Sequence, residues 1–183
     1  MFYVNTFLNI PDKKVNNLSL LQSNFEEYFV QIKNTHMILD LEDSLDFNYL
    51  NGAIILKYFE QTLLDTTLWD LVDQLWAYIL NVLDDMLITG YGETYFPDQP
   101  IKLCLKSISK HIILYEIESN KNLKVILPKN ELIETLLDGA DEFFKGMEAY
   151  FKEKCNYQYE INKIASLRTL FWMITLGRLS SIE

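Results

Sequence analysis

The chain has 183 residues, 49% of them hydrophobic and 14% aromatic, and a formal net charge of −10 at pH 7. That length and apolar content predict one domain, residues 1–183, with a real core, and they exclude a disordered chain. Two cysteines, Cys104 and Cys155, are too few for a disulfide framework and read as reduced, structural thiols of a reducing compartment.

The charge is unevenly placed. Residues 36–100 hold twelve acids and a single base, Lys57, so that segment alone carries −11. Such a surface repels a phosphate backbone, which excludes nucleic acid as its partner. It suits a basic protein, whose approach the field would accelerate, or it serves solubility alone.

The opening "MFYVNTFLNI" alternates as a strand does, Phe2, Val4 and Thr6 against Tyr3, Asn5 and Phe7. It has no basic region ahead of its apolar run, so it does not read as a signal peptide. Pro11 ends it, and "PDKKVNN" is a polar turn. In 19–33, Leu21, Phe25, Phe29 and Ile32 stand near helical spacing and predict a short helix. "THMILDLED" (35–43) reads as a strand with Met37, Leu39 and Leu41 on one face and Asp40 on the other. Asn51-Gly52 supplies the positive φ angles of a tight turn and predicts a hairpin with strands at 45–50 and 53–60. A helix over 53–64 is the rival, because Ile55, Phe59 and Leu63 are four apart.

A long amphipathic helix is predicted over 67–89, with Thr67 as its cap and Gly90 as its stop. Leu68 to Leu87 supply a broad apolar arc, and Asp70, Asp73, Asp84 and Asp85 run along the remaining face. Tyr91, Tyr95 and Phe96, set between two glycines and two prolines in "GYGETYFPDQP" (90–100), form a loop. It would clasp the helix end to the core through Phe96 and present Tyr91 or Tyr95 outward. Strands at 101–108, 111–119 and 123–128 make a three-strand meander. "NELIETLLDGADEFFKGMEAYFKEK" (130–154) is a second strong helix with an apolar stripe from Leu132 to Phe151 and Asn130 as its cap. A third helix, 158–177, has an apolar end that would pack into the core or form a homodimer contact. Arg168 and Arg178 interrupt "LRTLFWMITLGRL", well short of the roughly 20 apolar residues a membrane span needs. The expected location is cytoplasmic, with no membrane association.

Chemistry is sparse. The acids of "DLEDSLD" (40–46) lack calcium-loop spacing, and His36 and His111 read as polar strand-edge residues, so no metal is expected. No nucleophile elbow occurs, Cys104 belongs to an alternating strand, and "GYGETY" is not a phosphate-binding glycine motif. No cofactor and no catalytic residue is expected.

From 50 to 151 the order "NGAIILKYF", "WDLVDQLWAYILNVL", "YFPDQP" and "VILPKNELIETLLDGADEFF" resembles small bacterial proteins similar to the immunity proteins of polymorphic or contact-dependent toxin systems. The resemblance implies an acidic protein that occludes a cognate basic toxin, often a nuclease. The expected fold is α+β, a mostly antiparallel sheet of about five or six strands packed by helices 67–89 and 130–153 and by the C-terminal helix. The expected function is non-catalytic protein binding through Asp43, Asp46, Asp70, Asp73, Asp84 and Asp85 together with Tyr91, Glu93, Tyr95 and Asp98. Reversing the charge of the four helix aspartates is expected to leave the fold intact. The alternatives are a small-ligand binder or enzyme with its site beside 91–98, and a homo-oligomeric structural protein.

Overall fold

The computed structural model describes residues 1–11, 13, 21, 24–120 and 122–177, and it shows an α+β fold. The strands form two antiparallel sheets rather than the single sheet expected. The first contains β1 (Phe2–Asn9), β2 (Phe29–Gln31), β3 (Asn51–Tyr58) and β4 (Gln61–Leu64) in the order β2-β1-β3-β4, with the two-residue β5 (Asp70–Leu71) also on β3. The second is a meander of β6 (Tyr91–Tyr95), β7 (Lys102–Ser107), β8 (Ile112–Glu118) and β9 (Leu123–Pro128). The helices are α1 (Thr35–Asp40), α2 (Val72–Thr89), α3 (Lys129–Phe151) and α4 (Gln158–Thr175).

The main core lies where α2 and α3 meet both sheets. Helix α3 rests on β1, and α2 rests on β6, β7 and β3. Alternation along β7 and β8 points Leu103, Leu105, Ile113, Tyr115 and Ile117 inward, and all five are buried. Trp76 on α2 donates from Nε1 to Thr6 Oγ1 on β1 at 3.0 Å, a buried bond between residues 70 positions apart. The expected apolar stripe of α3 is buried in full, from Leu132 through Phe143 and Phe144 to Phe151. Helix α4 adds Ile164, Leu167 and Phe171, whereas Trp172, Met173 and Leu176 stay exposed. A second, smaller core covers the other face of the first sheet: Phe7, Leu21, Phe29 and Ala53, with Phe7 and Phe25 in edge contact at 5.5 Å. Burial on both faces explains why β3 reads as the unbroken apolar run "AIIL" rather than as an alternating strand.

Several local readings change. Residues 35–40 form a helix, not a strand. Asn34 caps it by accepting from the Met37 N–H at 3.4 Å, and Ile38 is the buried residue while Met37 and Leu39 are exposed. In 25–33 the expected helix is replaced by a single 3-10 turn (Phe25–Glu27) and β2, because Phe29 and Ile32 enter opposite cores. Residues 19, 20, 22 and 23 of that segment, and most of the "PDKKVNN" turn, lie outside the described residues. Asn51-Gly52 is not a turn but the start of β3. A Cβ at Gly52 would stand 2.3 Å from the Phe7 carbonyl oxygen and 2.7 Å from Val72 Cγ1, so glycine is there for close approach. The hairpin turn is Phe59-Glu60, with Tyr58 paired to Gln61 and Phe59 at φ +50. The rival helix over 53–64 is overturned by β3 and β4, and no strand forms at 45–50. Helix α2 starts at Val72, five residues later than expected. Thr67 sits instead in a 3-10 turn whose start is capped by Asp65, and Asp70 falls on β5. Gly90 ends α2 as expected, at φ +83 with its N–H on the Met86 carbonyl. Asn130 is not the cap of α3, because the helix begins one residue earlier, after Pro128.

The Tyr115 hydroxyl is buried among apolar side chains and has no hydrogen-bond partner among the described residues. Burial raises its pKa far above the ordinary phenol value. An unmade buried hydrogen bond costs about 1 kcal/mol or more, so Tyr115→Phe is expected to stabilise the protein by about 1 kcal/mol. A urea midpoint unchanged or lowered in that variant would show that the hydroxyl is satisfied in solution.

Candidate functional site

Asp70 organises the turn that the sequence singled out. It is 1% exposed, and its carboxylate accepts from the Leu71 N–H at 2.6 Å, the Asp98 N–H at 3.0 Å and the Gln99 N–H at 3.1 Å. Burial raises its pKa above the usual carboxylate range against the opposing pull of those three hydrogen bonds. The Gln99 side-chain amide donates to the carbonyl of Trp69, the residue before β5, which ties the same turn down a second time. Phe96 is 4% exposed and its N–H donates to the Ile101 carbonyl at 2.8 Å, so the clasp forms through Phe96 as expected.

The stretch before Phe96 is a strand, not a loop. Gly92 faces α2, where a Cβ would lie 2.2 Å from the Val82 carbonyl oxygen. The alternate residues Tyr91, Glu93 and Tyr95 point away from the helix, with Tyr91 42% and Tyr95 61% exposed. Tyr91 donates its hydroxyl to Glu93, and Glu93 pairs with Lys102 at 2.6 Å across the strand. Lys102 and then Tyr91 hold the Glu93 carboxyl below its usual range. Glu116 and Lys124 make a matching pair at 2.5 Å, so this face of the second sheet is open and laced with charges. Strand β6 pairs with β7 as its one neighbouring strand among the described residues; on its outer edge the Tyr91 N–H and carbonyl bond to Thr89 Oγ1, and no strand lies beyond it.

The acidic stripe is broken up. Asp73 accepts from the Tyr157 hydroxyl at 3.2 Å, and burial first of all raises its pKa. Asp84 pairs with Lys163 at 3.3 Å, and the same ammonium donates to Asn81 Oδ1 at 2.6 Å. Helix α4 thus covers part of the polar arc of α2. Asp43 lies near Lys154 at 3.7 Å, and Asp46 caps its own turn through the Asn48 N–H. Of the expected site residues, Tyr91, Glu93, Tyr95, Asp85 and Asp98 are exposed: the first three on β6, Asp98 on the turn after it and Asp85 on α2. Asp70 is internal, Asp73 is engaged by Tyr157 just ahead of α4 and Asp84 by Lys163 on it, Asp43 lies near Lys154 beyond the end of α3, and Asp46 bonds within its own turn.

A cleft of about 620 Å³ opens between the sheets, beside the 96–101 turn. Its rim carries Asp65, Thr67, Gln99, Asn120 and Asn122 over the apolar side chains of Leu63, Ile101 and Ile117. The amides of the β8–β9 turn went unnoticed in the sequence because nothing local links them to residues 62–68. Tyr157 and Lys163 were missed for the same reason.

The thiols are poorly suited to nucleophilic attack. Burial pushes Cys155 up to about 11 and raises Cys104 above its ordinary value. His36 stands 3.1 Å from Asp40 on α1, and His111 is exposed ahead of β8. Among the described residues no group of three or more His, Cys, Asp or Glu could hold a metal ion, and no helix is long and apolar enough to cross a membrane. Comparison with protein families, with curated proteins and with solved structures found no match.

Proposed function

We propose that this is a non-catalytic protein-binding protein, in its sharpest form an immunity protein that occludes a basic toxin, with β6 as its docking strand. One observation carries the reading: an edge strand with no partner strand on its outer side presents two exposed tyrosines, with an exposed carboxylate on the turn that follows it, Asp98, and another on the helix that precedes it, Asp85. Open edges invite an added strand from a partner, and natural proteins usually blunt them. Tyrosines supply apolar contact area with a polar tip, the kind of anchor that dominates interface energies. Neither Asp85 nor Asp98 is paired with a cation among the described residues, so both are free to steer a basic partner.

The test is capture of a partner from native lysate with tagged protein, followed by titration with the purified partner. The expected partner is basic, binds one to one and loosens with salt. Tyr95→Ala is expected to weaken that complex by more than about 1 kcal/mol, and Asp85→Lys with Asp98→Lys to slow association. A partner whose affinity ignored all three changes would remove β6 from the interface.

The cleft supports a second reading, a binder of small neutral polar ligands held by its amides. Melting shifts with such compounds that disappear in Asn122→Leu would favour it, and a silent screen would dismiss it.

A further inference from the structure

A second cavity, of about 390 Å³, lies away from β6 where the end of α2, the β7–β8 turn, the start of α3 and the end of α4 converge. Its floor is apolar, made by Leu87, Phe171 and Ile174. Its polar lining is Ser107, Ser109, Lys110, Lys129, Asn130 and Thr175. In a chain of net charge −10, no carboxylate is among the described residues lining this cavity, and two lysines are.

Lys129 is the informative one. It is half-buried, its ammonium donates to Ser107 Oγ at 2.8 Å, and no carboxylate pairs with it among the described residues. Burial lowers its pKa. It is also the first residue of the 23-residue helix α3, where the helix dipole repels a cation. Desolvation and dipole therefore both oppose a charged lysine here, and among the described residues one neutral hydroxyl, Ser107, but no carboxylate offsets them. An anion in the cavity would reverse both terms at once. It would meet the Lys129 and Lys110 ammonium groups and the serine hydroxyls, and its apolar part would lie on the Phe171 floor.

We propose that this cavity is a binding site for a small phosphate monoester with a compact apolar body. The volume falls within the usual range for small-ligand pockets, and the arrangement of apolar floor and few convergent polar groups is the usual one. The site is independent of the β6 docking strand and stands or falls without it.

The test titrates the full chain with phenyl phosphate and with inorganic phosphate by calorimetry. Phenyl phosphate is expected to bind saturably, at least about tenfold tighter than inorganic phosphate because its ring covers apolar surface. Lys129→Gln is expected to weaken phenyl phosphate by about tenfold or more, since it removes a charge-assisted contact. The same variant is expected to raise the melting temperature of the unliganded protein, because it relieves a half-buried charge that has no carboxylate partner among the described residues. A lysine kept for structure would do the reverse. Lys110→Gln, at an exposed position, serves as a milder second variant with the fold unaltered. Absence of saturable binding, unchanged affinity in Lys129→Gln, or a lowered melting temperature in that variant would each overturn the proposal.

Discussion

Asp70→Ala is expected to destabilise the protein by about 3 kcal/mol or more, because three backbone N–H groups lose one shared acceptor and each unmet donor costs roughly 1 kcal/mol or more. The donors belong to Leu71, Asp98 and Gln99, so the damage spans β5 and the turn after β6. Amide exchange at Asp98 and Gln99 should accelerate by about tenfold for every 1.4 kcal/mol of stability lost in urea unfolding. Asp70→Asn keeps one acceptor oxygen and should cost less. Its comparison with the native chain also yields a pH signature. The folded pKa of Asp70 is raised, so the native state binds its proton more readily than the unfolded state does. Stability from this group is then fully present below the ordinary carboxylate pKa and is lost as pH rises through the raised value. The native chain should therefore lose ground to Asp70→Asn as pH rises across that window. Unprotected amides in the native chain, or full protection in Asp70→Ala, would show that the carboxylate does not hold the turn. The geometry also alters the expectation that reversing the four helix aspartates leaves the fold intact: a lysine at position 70 would bury a cation against three donors. Asp85 and Asp98 are the positions at which charge reversal probes docking alone.

Gly92→Ala is expected to destabilise by about 3 kcal/mol, at the upper end of what overpacking costs. The added Cβ would meet backbone rather than side chain, 2.2 Å from the Val82 oxygen and 3.0 Å from its carbonyl carbon. No rotamer change relieves that contact, so α2 must lift from β6. Gly146→Ala is the control. Its Cβ would meet Ile32 and Tyr150 at 3.6 and 3.7 Å, ordinary contact, and alanine is the better helix former by about 1 kcal/mol. Guanidinium denaturation of the two variants should separate them clearly. Equal midpoints would show that α2 has room to move, and with that the rigid seating of the docking strand would be lost.

What was legible in the sequence is what local periodicity controls. The strands β1, β7, β8 and β9 and the helices α2, α3 and α4 all announce themselves, because a long amphipathic repeat has one way to bury its apolar side. Phe96 inward and Tyr91 or Tyr95 outward was expected of a loop, and the structure turns both tyrosines outward on a strand. Short segments misled the reading of periodicity. Met37, Leu39 and Leu41 alternate as a strand would, yet Asn34 caps a helix there and Ile38 is the anchor. Asn51-Gly52 carries a turn signature but is drawn into β3 by the closeness of Phe7 and Val72, which lie 45 and 20 positions away from Gly52 in the chain.

The sequence by itself determined an α+β chain with a large aromatic core, a reservoir of negative charge in residues 36–100, and the stop of α2 at Gly90. Only the tertiary structure decided which charges remain available. Asp70 is claimed by amides 28 and 29 residues away, Asp73 by Tyr157 at the start of α4 and Asp84 by Lys163 within it. Asp85 on α2 and Asp98 on the turn after β6 stay exposed. Periodicity reports that a face is polar, but whether that polarity meets water, a donor or another helix depends on contacts between segments far apart in the chain, where no local pattern reaches.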